Sequence, residues 1–329
     1  HGHSNTETVV GHSTLATGAD PSTHGMIGNL WFDKELKTTI YNVEDYRYPL
    51  IGDGAGVDKN TEIDPTQAAA GTDGRSPLAI NATTFSDELA MNTNGKAKIF
   101  GVSVKDRGAI TMAGHAGKAF WFSKAKGDFV TSSYYYENYP DWVTQWNEKD
   151  LYKKYANTSW DLTNDISTYI HGEEDNMSYE TNMPGYGIVF PHNYGGLENK
   201  YFTTYLTLSP AGDELTLDFA KELITAEEIG ADQITDYLSV SFSSTDYVGH
   251  IFGPASLESE DNLIRLDRTL ANLFTFLDEK IGLDNILIVF SADHGGPDAP
   301  GHLSKFGVDA GYFDLDKVDT LTIQQVLRD

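Results

Sequence analysis

Two short segments each set a carboxylate near an imidazole. Asp246-Tyr-Val-Gly-His250 follows the apolar stretch Tyr237-Leu-Ser-Val-Ser-Phe242, and Asp293-His294-Gly-Gly follows the apolar run Ile286-Leu-Ile-Val-Phe290. Each pair is expected at the end of a buried strand. Carboxylate and neutral imidazole together suit Zn²⁺ or a similar divalent ion, Mn²⁺ among them. One Asp-His dipeptide means little. Two pairs in one chain predict two ions held side by side, a clamp suited to hydrolysis of phosphate esters.

Four further residues have types suited to the same chemistry. Thr8 stands where the chain is expected to enter its first helix, so its hydroxyl faces unpaired backbone N–H groups and the positive end of the helix dipole. The plain reading is a helix N-cap. Metal coordination would instead lower its pKa and make it a nucleophile. Asn29 follows Gly28 in a turn-rich loop, where Asn is usually just a turn residue, yet its amide could donate to a phosphoryl oxygen. Lys105 and Arg107 flank Asp106 directly after an apolar segment, which predicts both cations on one side. A guanidinium fork matches two phosphoryl oxygens and an ammonium adds a point charge. The competing reading is a solvated strand end paired with local carboxylates.

These residues need strands and helices to hold them. Residues 8–18 read as a helix ended by Gly18, with Pro21 close behind. Residues 30–32 and 38–41 read as a short hairpin, 51–77 as a long Gly-, Asp- and Thr-rich loop, and 84–91 as a short helix. Residues 97–104 and 237–242 read as strands, and 217–229 as a helix. Leu263, Leu266, Leu270, Leu273 and Leu277 mark an amphipathic helix of 3.6-residue period. The apolar run 286–290 reads as a strand of a parallel sheet covered on both faces. The pattern predicts an α/β fold, a doubly wound and mostly parallel sheet between helices, with functional loops at the strands' carboxyl ends. Residues 119–212, crowded with Tyr, Trp, Asn and Gly, read as an inserted cap whose aromatics pack inside it. The core is then expected in two parts, 1–118 and 213–329.

Composition narrows the options. At 329 residues the chain can bury a large core. With 49 acidic and 23 basic residues its net charge is −26, which repels nucleic acid and anionic membranes. An anionic substrate would need its own local cations. No run reaches the roughly 18 apolar residues that span a bilayer, and no secretory signal stands at the start. The absence of Cys removes disulfides, thiolate metal sites and thiol nucleophiles. His12, His24, His115 and His302 read as hydrogen-bonding turn, helix-start or loop residues, and the 53–64 loop lacks an EF-hand spacing for Ca²⁺.

The segment from Thr8 to Asn29 resembles the nucleophile region of the alkaline phosphatase superfamily. The likeness is to the branch of nucleotide pyrophosphatase/phosphodiesterases and phosphate-irrepressible alkaline phosphatases. That resemblance implies a nucleophilic Thr8, a phosphate-binding Asn29, and Lys105 with Arg107 as the pair that separates monoesterases from diesterases. It further implies two Zn²⁺ ions, one on Asp246 and His250, the other on Asp293 and His294 together with Thr8. The implied activity is hydrolysis of small phosphate monoesters through a phosphothreonine, in the periplasm or outside the cell. The alternatives are a phosphodiesterase of the same superfamily and a catalytically defunct metal-binding protein. The family's first strand with its metal-binding Asp, and its last His ligand, are expected before His1 and after Asp329. Oligomeric state stays open.

Overall fold

The computed structural model describes residues 5–312. At its centre lies a four-stranded mixed sheet. Strand β3, Ile99–Ser103, is buried at all five positions. It runs parallel to β4, Lys118–Ser123, on one side and to β8, Tyr237–Ser241, on the other. Strand β5, Asp128–Val130, adds antiparallel to β4, giving the order β5-β4-β3-β8. Alternation along the strands serves two cores. Phe100, Val102, Phe120 and Phe122 face one cluster, while Ala119, Trp121 and Val130 face the other. Burying each of the large apolar side chains contributes about 1.5–3 kcal/mol.

The helix Asp106–Ala113 follows β3 and packs tightly against it. A Cβ at Gly101 would stand 2.2 Å from the carbonyl oxygen of Ala109, so only glycine permits that approach. The tight packing carries Lys105 and Arg107 to the carboxyl end of the sheet. The helix Thr8–Thr17 buries Val9 and Val10 completely. It ends at Gly18, whose φ of 65° lets its N–H reach the carbonyl of Thr14. Strands β1, Leu30–Asp33, and β2, Thr38–Tyr41, form the expected hairpin. The helices Pro210–Ala226 and Leu257–Lys280 pack together beside β8.

The aromatic segment carries little regular structure, notably the two-residue ladder of β6, Ser159–Trp160, with β7, His192–Asn193. Its rings do not form a separate core. Trp146, Trp160, Tyr186 and Tyr194 merge with Phe100, Phe120 and Phe219 in one cluster, and Phe129 stacks on Phe219 at 4.2 Å. Buried Asp261 on the long helix ties this segment down, accepting from the Trp160 indole at 2.7 Å and the Tyr169 hydroxyl at 2.5 Å.

Four expectations are corrected. Residues 119–130, assigned by composition to the cap, complete β4 and form β5 of the sheet, because pairing beside β3 outweighs the change in composition. Asp246 and His250 lie on a helix, Ser244–Phe252, rather than at a strand end; their i,i+4 spacing is a helical one. The 51–77 loop contains a helical turn, Pro65–Ala68, capped by Asp64. The run 286–290 joins no sheet among the described residues, and Leu287, Val289 and Phe290 are 90%, 82% and 74% exposed. A strand needs a neighbour for its backbone groups, and no described strand lies alongside this one.

Candidate active site

Thr8 is the first residue of its helix, one place after the N-cap, Glu7, and it is buried. Glu7 makes no side-chain cap; its carboxylate instead accepts from the backbone N–H of Asn29. The side-chain oxygen of Asn29 in turn accepts from the backbone N–H of Val9 at 3.1 Å. With that oxygen engaged, the amide NH₂ is the end of Asn29 left to donate. Asn42 fixes the loop from behind, donating to the Asn29 carbonyl at 2.8 Å. The helix start and the Asn29 loop are thus tied to one another beside the Thr8 hydroxyl.

Lys105 is the N-cap of the helix Asp106–Ala113 and is 1% exposed. Its ammonium touches the carboxylate of Asp246 and lies 4.2 Å from the ring centroid of Tyr247. Arg107 stands in the first turn of the same helix, also buried. Its Nη1 donates to the Tyr41 hydroxyl at 3.2 Å, and its Nη2 lies 3.5 Å from Oγ1 of Thr8. Nη2 is also 2.9 Å from Oδ2 of Asp64, a contact of charges rather than a well-aligned hydrogen bond. The Nε–H of Arg107 is buried with no partner. Burial opposes ionisation of Asp64, but Arg107, then Lys105 and Lys124, override it and hold the carboxyl well below its usual range.

The four expected metal ligands converge from two segments. His250 Nε2 lies 3.4 Å from Oδ2 of Asp246. His294 Nε2 lies 3.6 Å from Oδ1 of Asp246 and 3.5 Å from Oδ2 of Asp293. Burial again opposes ionisation, yet Lys105 holds the Asp246 carboxyl far below its ordinary value, and His12 does the same more mildly for Asp293. Both are anionic, as ligands must be. His294 Nε2 is a buried nitrogen without a hydrogen-bond partner. Two anionic carboxylates and an imidazole nitrogen without a hydrogen-bond partner suit a divalent ion. Among the described residues no three such side chains close on one point, and His250 keeps a largely exposed ring.

Several contributors were not read from the sequence. His12, taken for a structural histidine, hydrogen-bonds the Thr8 carbonyl at 2.9 Å and also lies 3.1 Å from Oδ2 of Asp293. Asp64 was visible only as a carboxylate before Pro65, the signal of a helix cap. Tyr41 reads as a strand residue. His302, expected in a loop, sits in the short helix Pro300–Ser304 beside Glu174.

A family profile described as "Type I phosphodiesterase / nucleotide pyrophosphatase" matches residues 1–322. The chain belongs to that family. Within it the chain is similar to alkaline phosphatase PhoV of Synechococcus elongatus, 40% identical over 300 residues, which are 91% of this chain and 52% of the relative. Alkaline phosphatase PafA of Elizabethkingia meningoseptica is 37% identical over 310 residues, 94% of this chain and 54% of its own. The crystal structure of wild-type PafA superposes with a TM-score of 0.85 at 36% identity, covering 98% of this chain and 59% of that one. The chain spans about half the length of the curated relatives it matches. The α/β sheet flanked by helices is therefore that of the alkaline phosphatase superfamily.

Proposed function

We propose that the chain carries the catalytic site of a phosphomonoesterase, an alkaline phosphatase that acts through a phosphothreonine on Thr8. The observation that supports this most is the unpartnered Nε–H of Arg107, on a guanidinium whose Nη2 is 3.5 Å from Oγ1 of Thr8. A buried donor without a partner is costly, and a non-bridging oxygen of a phosphoryl group whose phosphorus is poised for attack by Thr8 would satisfy it.

Asp246, His250, Asp293, His294 and the Thr8 hydroxyl would hold two divalent ions. Zn²⁺ suits this N and O donor set, with Mn²⁺ as the alternative, and the ions would supply Lewis-acid charge and lower the pKa of hydroxyl and water. The chain's own residues do the rest. Oγ1 of Thr8 attacks phosphorus, forming the new P–O bond as the bond to the leaving alkoxide or aryloxide breaks; water later hydrolyses the phosphothreonine and regenerates the hydroxyl. Asn29 donates its amide NH₂ to a non-bridging oxygen. Arg107 offers Nε–H and Nη2–H as a fork to two others, and Lys105 adds its charge. Two buried cations give local attraction in a chain of net charge −26.

A phosphodiesterase is the second reading, favoured by the family description itself. An aryl phosphate and its methyl diester separate the two. Monoester preference in the full-length protein, lost in Arg107→Ala, supports the monoesterase; diester preference unchanged by that substitution overturns it. Thr8→Ala should lower turnover of either substrate by on the order of 10⁴–10⁶-fold. Loss of all activity on chelation and return with Zn²⁺ would separate an enzyme from a defunct binder. A periplasmic or secreted location belongs to the same reading; no described helix is long and apolar enough to cross a membrane.

A further inference from the structure

We infer that Asp64, with Tyr41, is a positioning residue that sets the orientation of the Arg107 guanidinium and thereby the preference for doubly charged phosphoryl groups. The inference rests on the reading of Arg107 as a phosphate-binding residue. It assigns a task to the 51–77 segment, which otherwise looks like a surface loop.

A free arginine side chain has several rotatable bonds, and a fork binds two oxygens well only if its plane is fixed beforehand. Arg107 is held on two sides. Nη2 lies 2.9 Å from Oδ2 of Asp64, and Nη1 donates to the Tyr41 hydroxyl at 3.2 Å. That hydroxyl donates onward to Oδ1 of Asp106 at 2.6 Å, and the other oxygen of Asp106 takes Nε of Arg75 at 2.6 Å. The chain of contacts ends in two buried, paired charges and does not drift into solvent. What remains of Arg107 is its Nε–H and one hydrogen on each terminal nitrogen, and the edge formed by Nε and Nη2 lies toward Thr8.

Asp64 is itself fixed. Its Oδ1 accepts from the N–H of Thr66 at 2.9 Å and from the Thr66 hydroxyl at 2.6 Å, capping the helical turn Pro65–Ala68. The two carboxylate oxygens are thus divided, one to its own helix and one to Arg107. Asp64 is 6% exposed, and an unpaired charge there would be costly. Each charge of the pair therefore keeps the other in place. Asp64 does not reach the reacting atoms; it acts through Arg107.

Asp64→Asn tests this, because Asn keeps the cap and the shape while removing the charge. The full-length, metal-loaded protein is assayed on an aryl phosphate and on its methyl diester, with Arg107→Ala and the double variant alongside. The expected result is a fall of up to about 100-fold in kcat/KM for the monoester with a much smaller change for the diester. In the Arg107→Ala background, Asp64→Asn should then add nothing. Tyr41→Phe, which removes only a hydroxyl, gives a second reading and should show the same selective loss to a smaller degree. Equal losses on both substrates in both Asp64→Asn and Tyr41→Phe, or full additivity with Arg107→Ala, would overturn the inference while leaving the role of Arg107 standing. If Arg107→Ala itself lowers both substrates alike, the monoesterase reading falls and this inference falls with it.

Discussion

The ammonium of Lys105, from the carboxyl end of β3, rests against the carboxylate of Asp246, on the helix that follows β8. Because β3 and β8 are adjacent and parallel, their following helices begin side by side, and the two charges meet across one strand spacing. A group suited to the substrate's phosphoryl oxygens is thereby coupled to a group suited to a metal ion. The cation also lies over the ring of Tyr247, the residue next to Asp246, which keeps it at the sheet's end.

Lys105→Ala should therefore weaken catalysis selectively. Removing one preorganised cation from a buried oxyanion site costs about 10²–10³-fold in rate. The expected loss in kcat/KM for an aryl phosphate is of that size and clearly larger than for the methyl diester, which carries one negative charge fewer. Steady-state kinetics on both esters decide it, and equal losses would mean that Lys105 serves Asp246 alone.

Two buried carboxyls outside the site predict how stability depends on pH. Burial, with the Glu258 carboxyl adding to it, pushes Glu180 up to about 8. Burial likewise pushes Asp213 up to about 7, against hydrogen bonds from Ser244. In the unfolded chain both release their protons near about pH 4. The folded state therefore binds more protons between that pH and about 7–8, so these groups make stability fall as pH rises through the interval. Denaturant midpoints measured across it should decline in the wild type. Glu180→Gln and Asp213→Asn should flatten the decline; an unchanged slope in both would show that the two carboxyls titrate normally.

Much of the frame was legible because its signals are local. Gly18 and Pro21 mark the end of the Thr8–Thr17 helix, a five-residue apolar stretch marks β3, and leucines at helical spacing mark the Leu257–Lys280 helix. The candidate ligands were legible as types. Their setting was less so: the i,i+4 spacing of Asp246 and His250 is a helical signal that the preceding strand obscured. The pairing of Asp64 with Arg107 leaves no trace in the sequence, since the partners are 43 residues apart and one sits in a segment without periodicity. Residues 286–290 show the opposite failure. Their apolar character is unmistakable, but whether a strand pairs depends on what lies beside it.

Gly11 offers a test of how the two halves of the site are joined. It lies on the Thr8–Thr17 helix, and a Cβ added there would stand 2.1 Å from the backbone oxygen of Asp293 and 3.0 Å from its Cβ. No side chain rotates out of such a contact, because the atoms met first are backbone. Either the Asp293-His294 segment moves away or the helix does. Helical Ala is otherwise more favourable than Gly by about 0.5–1 kcal/mol, so local propensity alone predicts a slightly more stable protein. The clash predicts the reverse, about 1–3 kcal/mol of destabilisation from overpacking. Displacing Asp293 and His294 by even an ångström relative to Thr8 should also cost up to about 100-fold in kcat/KM. Gly11→Ala should thus lose both melting temperature and activity on monoester and diester alike, unlike Lys105→Ala or Asp64→Asn, which discriminate between the two esters. A Gly11→Ala protein with wild-type activity would show that the Asp293-His294 segment does not pack against the Thr8 helix.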